Sequence, residues 1–150
     1  MQLTQHTDYG LRLLIMLARS GRALPLPAFS AQQGLSYHHV AKVAQALIRE
    51  GLAISQRGRS GGIALARPAA DISVGEVVRK LERGMRLADC ARCALRADCA
   101  LSSVLAEALD AFLAVLDRYT LADIAREGVP AFAPWAMLPA APSCEVTAPS

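Results

Sequence analysis

Apolar residues recur along the first fifty positions at spacings of three and four, alternate briefly, and then return to helical spacing. Each change of period marks a change of element. Thr4 is placed to cap a helix running to about Ser20, with Leu11, Leu14, Ile15, Leu17 and Ala18 as its stripe and Gly21 as its stop. After Pro25-Leu-Pro27, a short helix over about 28–33 ends at Gly34. Ser36 then caps a second helix, about 37–50, whose Val40, Val43, Ala44, Leu47 and Ile48 share one face. Two short helices joined through a glycine predict a helix-turn-helix, in which the second helix enters the major groove of DNA.

The alternating stretch comes next. Ala53-Ile-Ser-Gln-Arg57 and Ile63-Ala-Leu-Ala66 flank Gly58-Arg-Ser-Gly-Gly62, predicting a β-hairpin with a basic, glycine-rich tip. Ser73 caps a further helix over about 74–82, with Glu76 at the capping-box position. A cysteine-rich loop, 83–99, separates it from a long helix, about 100–118. There Leu101, Val104 or Leu105, Ala108, Phe112, Val115 and Tyr119 form a seam too apolar for water. A second copy of the chain is its simplest partner. Thr120 caps a last short helix, 121–127, and a Pro- and Ala-rich tail, 128–150, is expected to be poorly ordered. The expected architecture is mainly α with one small β-hairpin. A winged helix-turn-helix (1–82) is followed by the cysteine loop (83–99), then a dimerisation helix with its short successor (100–127).

Charge sharpens this picture. Residues 1–97 carry 14 Lys and Arg against 6 Asp and Glu, whereas residues 98–150 carry 2 against 7. The first part therefore suits a polyanion and the second does not. The exposed face of the second helix offers Ser36, Tyr37, His38, His39, Lys42 and Gln45, and the hairpin tip offers Arg57, Arg59 and Ser60. Arg and Lys neutralise phosphates or fork onto guanine, while Ser, His and Gln bond base edges. His38 and His39 point about 100° apart on a helix and cannot chelate one ion together. The glycines at 58–62 are not a phosphate loop, because no Gly-Lys-Ser/Thr follows and no helix starts there. A DNA-binding regulator is expected, not an enzyme. No apolar run approaches the ~18 residues of a membrane span, and no export signal is evident, so a cytoplasmic protein is expected.

Cys90, Cys93 and Cys99 crowd the loop, with Cys144 some 45 residues away in the tail and read as incidental. A thioredoxin-type oxidoreductase would need a βαβ setting that is absent here. A structural disulfide is disfavoured in a reducing compartment, and structural zinc wants four ligands where the loop supplies three. Three thiolates with an open fourth position suit an iron–sulfur cluster that a small diatomic could attack.

The chain also resembles the winged-helix family of iron–sulfur transcription regulators, and within it the nitric-oxide-sensing, NsrR-type repressors. The resemblance rests on Met1-Gln-Leu-Thr-Gln-His-Thr-Asp-Tyr-Gly-Leu-Arg-Leu-Leu-Ile15, Arg57-Gly-Arg-Ser-Gly-Gly-Ile63 and Ile72-Ser-Val-Gly-Glu-Val-Val78. Phe112-Leu-Ala-Val-Leu-Asp-Arg-Tyr-Thr-Leu-Ala-Asp-Ile124 extends it and favours the nitric-oxide-sensing branch. It implies a homodimer on a double-stranded operator, with one [4Fe-4S] cluster per subunit held by Cys90, Cys93 and Cys99. Asp8 of the partner subunit would be the fourth ligand, and its hard carboxylate would bind iron weakly. Nitric oxide would then nitrosylate the cluster, release the operator and lift repression of nitric-oxide detoxification genes. The first cysteine gap is only two residues, shorter than is usual in the family, while the second, five residues, fits. Two alternatives stay open. One is a sister regulator of iron–sulfur biogenesis with a [2Fe-2S] cluster and a histidine ligand, although no histidine follows Cys99. The other is a thiol-redox or zinc-stabilised regulator without iron.

Overall fold

The computed structural model describes residues 2–126, apart from 59–60, 91–92 and 96–98. Arg59, Ser60, Glu127, Cys144 and the 128–150 tail fall outside the described residues. Helix α1, Gln5–Ser20, starts where Thr4 Oγ1 accepts the Thr7 N–H at 3.3 Å and stops at Gly21. Its buried face is Thr7, Gly10, Leu13, Leu14 and Leu17, so it is rotated from the expected stripe. Leu11, Ile15 and Ala18 flank that face half-buried. The tight seam is marked by small residues, Thr7 and Gly10, which a hydrophobicity pattern does not register.

Helix α2, Leu26–Gln33, begins two residues before the expected start, with Pro27 in its first turn. Proline suits that position because no intrahelical donor is needed there. Gly34 ends α2 and leads into α3, Tyr37–Arg49. Ser36 stands at the N-cap of α3, but its side chain makes no capping bond. Val40, Val43, Ala44 and Leu47 are buried as expected, whereas Ile48 is 40% exposed and turns toward the hairpin.

Strands β1, Ala53–Gln56, and β2, Gly62–Leu65, pair antiparallel with Ala53 opposite Leu65 and Gln56 opposite Gly62. The connector before α2 adds a third edge. Leu24 N–H donates to Ile63 O at 2.9 Å and Ile63 N–H donates to Leu24 O at 3.0 Å. A Cβ at position 62 would stand 2.2 Å from Leu24 O, so only glycine lets the wing approach this closely.

After a 3-10 turn, Ala69–Asp71, helix α4 spans Val74–Leu81. Ser73 caps it by accepting the Glu76 N–H at 3.0 Å. The Glu76 carboxylate does not complete the expected capping box. It pairs instead with Arg67 and with Lys80, the latter at 3.0 Å, because two cations outcompete one backbone N–H for a carboxylate. The reciprocal box occurs at Thr120 and Asp123, at the start of α6, Leu121–Ile124. That helix ends earlier than the 121–127 expected.

Helix α5, Leu101–Asp117, packs along α4. The two elements are stitched by Val74 N–H to Tyr119 O and Leu121 N–H to Ile72 O, both 2.8 Å, and by a fork of Arg79 on Asp117. Leu121 enters the core with Leu13, Leu14, Leu17, Phe29, Val43, Leu47, Leu52, Ile63, Ile72 and Val77. No α5 residue is buried, and Leu101 and Val104 are each 57% exposed, with Val115 and Tyr119 about half exposed. An apolar helix face left this open is what a partner subunit would cover. No described helix is long and apolar enough to cross a membrane.

Candidate nucleic-acid interface and cysteine loop

Burying Val40, Val43, Ala44 and Leu47 forces the other face of α3 outward. Tyr37, His38, His39, Lys42 and Gln45 are all exposed, as is Ser36 just before them. Arg57 is exposed at the foot of the hairpin tip, next in sequence to Gln56, which lines a groove together with Tyr37 of α3. That groove, about 300 Å³, is lined by Tyr37, Ile48, Ser55, Gln56 and Gly61. Gln56 was not singled out by the sequence pattern, and Ile48 was expected on the core face, not in a groove. The rings of His38 and His39 lie 6.3 Å apart and tilted by 46°, with no shared centre.

The far end of α3 is held by cations. Lys80 Nζ donates to Glu50 O at 2.7 Å, and Arg83 Nη2 meets Glu50 Oε1 at 2.5 Å. Positive charge at a helix C-terminus complements its dipole. Arg83 is also the first residue of the cysteine loop, so that loop begins bonded to the end of α3. Its neighbour Glu82 reaches the other way and accepts from Thr4 N–H at 2.5 Å and Thr4 Oγ1 at 2.8 Å. Burial works to raise the Glu82 pKa, but the Thr4 bonds outweigh it and hold the carboxyl below its ordinary range. The base of the loop is thereby tied to both the end of α3 and the start of α1.

Asp8 sits one turn into α1, partly exposed, in a fork with Arg12: Nη2 to Oδ2 at 2.7 Å and Nε to Oδ1 at 3.0 Å. The hydrogen bond to Asp8 raises the Arg12 pKa. Cys90, Cys93 and Cys99 are free thiols, Cys93 exposed and the other two half-buried. Among the described residues, no three His, Cys, Asp or Glu side chains converge to hold a metal ion within the single chain. The donor chemistry nevertheless fits an iron–sulfur group. Three soft thiolates lie within ten residues of a loop that carries no described helix or strand.

These features define a winged-helix DNA-binding protein with a thiol-bearing loop whose base is bonded to the end of α3. The chain belongs to the Rrf2 family, described as iron-dependent transcriptional regulators, whose profile matches residues 3–127. It is therefore a DNA-binding transcriptional regulator and not an enzyme. Regulators of this family bind DNA and are generally dimeric. Among solved structures, the chain is similar to CymR of B. subtilis, the global cysteine regulator of that organism. That match has 27% identity and a TM-score of 0.71, covering 83% of this chain and 96% of that one. It is also similar to the oxidised form of Staphylococcus aureus CymR, with 29% identity, coverage of 84% and 97%, and a TM-score of 0.68. T. potens IscR matches with 28% identity, coverage of 83% and 85%, and a TM-score of 0.68.

Proposed function

We propose that the protein is a homodimeric cytoplasmic repressor whose loop cysteines hold a nitric-oxide-sensitive iron–sulfur cluster. One observation carries the reading: three free thiols share a loop whose base is hydrogen-bonded to both α3 and the Asp8-bearing α1. Cys90, Cys93 and Cys99 would be the protein ligands, and Asp8 of the partner subunit the fourth. When bound, a [4Fe-4S] group would supply a redox-active, nitric-oxide-reactive centre at the subunit junction.

The rest of the work belongs to the chain. Asp8 is held by Arg12 in the single subunit, so reaching across the interface means exchanging a guanidinium for iron. A carboxylate is a hard, weak donor for iron, so the exchange is reversible. Glu82 and Thr4 keep the start of α1 in register with the base of the loop, and Arg83 with Glu50 does the same for α3. A change in the loop would thereby reach α3 and its exposed face, Tyr37, His38, His39, Lys42 and Gln45, which together with Arg57, Arg59 and Ser60 of the wing would contact the operator. Ser36 joins that face, where its hydroxyl is not used for capping.

A second reading has its own support. The likeness to CymR, one of whose structures is an oxidised form, fits a thiol-redox regulator without iron. The likeness to IscR fits a regulator with a [2Fe-2S] cluster. Anaerobic purification with absorption spectroscopy and iron and sulfide analysis separates them. The proposal expects a brown protein with about four irons and four sulfides per chain. Two of each favours [2Fe-2S], and a colourless protein with unchanged operator affinity rejects the cluster.

A further inference from the structure

The short first gap between the cysteines has a geometric consequence. Cys93 N–H donates to Cys90 O at 3.4 Å, closing a turn in which the bond runs back three residues. A backbone bond of that span closes a turn whose end Cα atoms lie within about 7 Å of each other. That range overlaps the roughly 4.4–6.8 Å Cα–Cα window of a disulfide. Both thiols are free, and Cys93 is exposed to solvent. Cys99 is placed differently, because it starts the approach to α5, where its carbonyl accepts from Ser102 Oγ at 3.1 Å.

From this geometry we infer that Cys90 and Cys93 form a reversible dithiol–disulfide pair in the iron-free chain, with Cys99 outside it. The oxidant is a peroxide. The Cys93 thiolate attacks the peroxide O–O bond, leaving a sulfenic acid on Cys93 and releasing one water after protonation. The Cys90 thiolate then attacks that sulfur, the S–S bond forms, and the sulfenic oxygen leaves as a second water. Two electrons pass from the sulfurs to the peroxide, and the two thiol protons end in the two waters. An exposed disulfide closing so small a loop is of the labile, regulatory kind and not a staple. Closing it withdraws two of the three loop thiolates, so an oxidised chain cannot take up iron and sulfide until it is reduced.

This inference shares its cysteines with the proposed cluster site but concerns the iron-free protein, so either can fail alone. The test uses full-length, iron-free protein treated with hydrogen peroxide, followed by alkylation and peptide mass mapping. The expected result is a loss of two hydrogens on the peptide carrying Cys90 and Cys93, with Cys99 still alkylated and full reversal by dithiothreitol. Cys99→Ser retains the bridge and Cys93→Ser abolishes it. A bridge from Cys99 to either partner, or two freely alkylated thiols at 90 and 93 after peroxide, overturns the inference. Iron and sulfide counts on the anaerobic protein do not depend on that outcome.

Discussion

Replacing Gly75 with alanine tests how α5 is set against the DNA-binding unit. A Cβ at position 75 would stand 2.1 Å from Asp117 Oδ1, 2.8 Å from its Cγ and 3.0 Å from its backbone N. The carboxylate can swing away only by leaving its fork with Arg79, an exposed pair worth about 0–1 kcal/mol. The backbone nitrogen cannot swing, so α5 itself must back off. Overpacking of this kind costs about 1–3 kcal/mol, against a gain of about 1 kcal/mol from alanine's helix propensity. The net expectation is a loss of about 1 kcal/mol, a fall in Tm of roughly 2–4 °C for a chain of this size. Gly10→Ala is the control. Its new Cβ would meet Leu81 Cδ1 at 2.6 Å, the movable end of a side chain, with Val43 and Leu47 at ordinary contact distances of 3.7 and 3.8 Å. That variant is expected near wild type. Thermal or urea unfolding of both variants at one protein concentration reads the difference. If Gly75→Ala unfolds at or above the wild-type temperature, helix propensity alone decides and the close α4–α5 approach is not a constraint.

Lys42→Ala should weaken operator binding across all sequences and lower the salt-dependence slope by about 1, read from affinity at several salt concentrations. An unchanged slope would take Lys42 off the phosphate backbone. Arg83→Ala removes the pairing of Glu50 with a residue that is 72% exposed, so it should cost less than about 1 kcal/mol of stability. It should nonetheless shrink the ratio of operator affinities with and without the cluster; an unchanged ratio would mean the loop does not act through Glu50. Glu82, whose pKa is lowered by its bonds from Thr4, contributes stability that is complete above its ordinary pKa and fades as pH falls through the lower folded value. The Tm difference between wild type and Glu82→Gln should therefore be constant near neutrality and close in acid; a constant difference down to pH 3 would contradict the assignment. Asp8→Ala should fold normally yet shorten cluster lifetime in air, and an equal lifetime would remove Asp8 from the ligand set.

Much of the fold was legible because its periods are clean. The α3 core face, the hairpin and the N-caps at Thr4, Ser73 and Thr120 all follow from local spacing and capping chemistry. What escaped depends on contacts distant in sequence. The α1 face was displaced because Thr7 and Gly10, neither apolar, form its tight seam. The Glu76 box did not close because Arg67 and Lys80 converge on the carboxylate. The bridge from Leu24 to Ile63 needs a glycine at 62, which the sequence shows but cannot assign to a third edge. At the candidate site, the exposed face of α3 was readable from helical periodicity. The links from Arg83 to Glu50 and from Glu82 to Thr4 span 33 and 78 residues and leave no local trace. Asp8 became a candidate ligand only through resemblance, and its fork with Arg12 emerged with the structure.

The central claim is that cluster chemistry in the cysteine loop controls DNA binding, and one titration tests it directly. Nitric oxide is added stepwise and anaerobically to the iron-loaded dimer on operator DNA, with cluster absorbance and fluorescence anisotropy of labelled DNA recorded together. The account predicts loss of the cluster signal and release of the DNA over the same range of added nitric oxide. DNA that stays bound after the cluster signal is gone would contradict it.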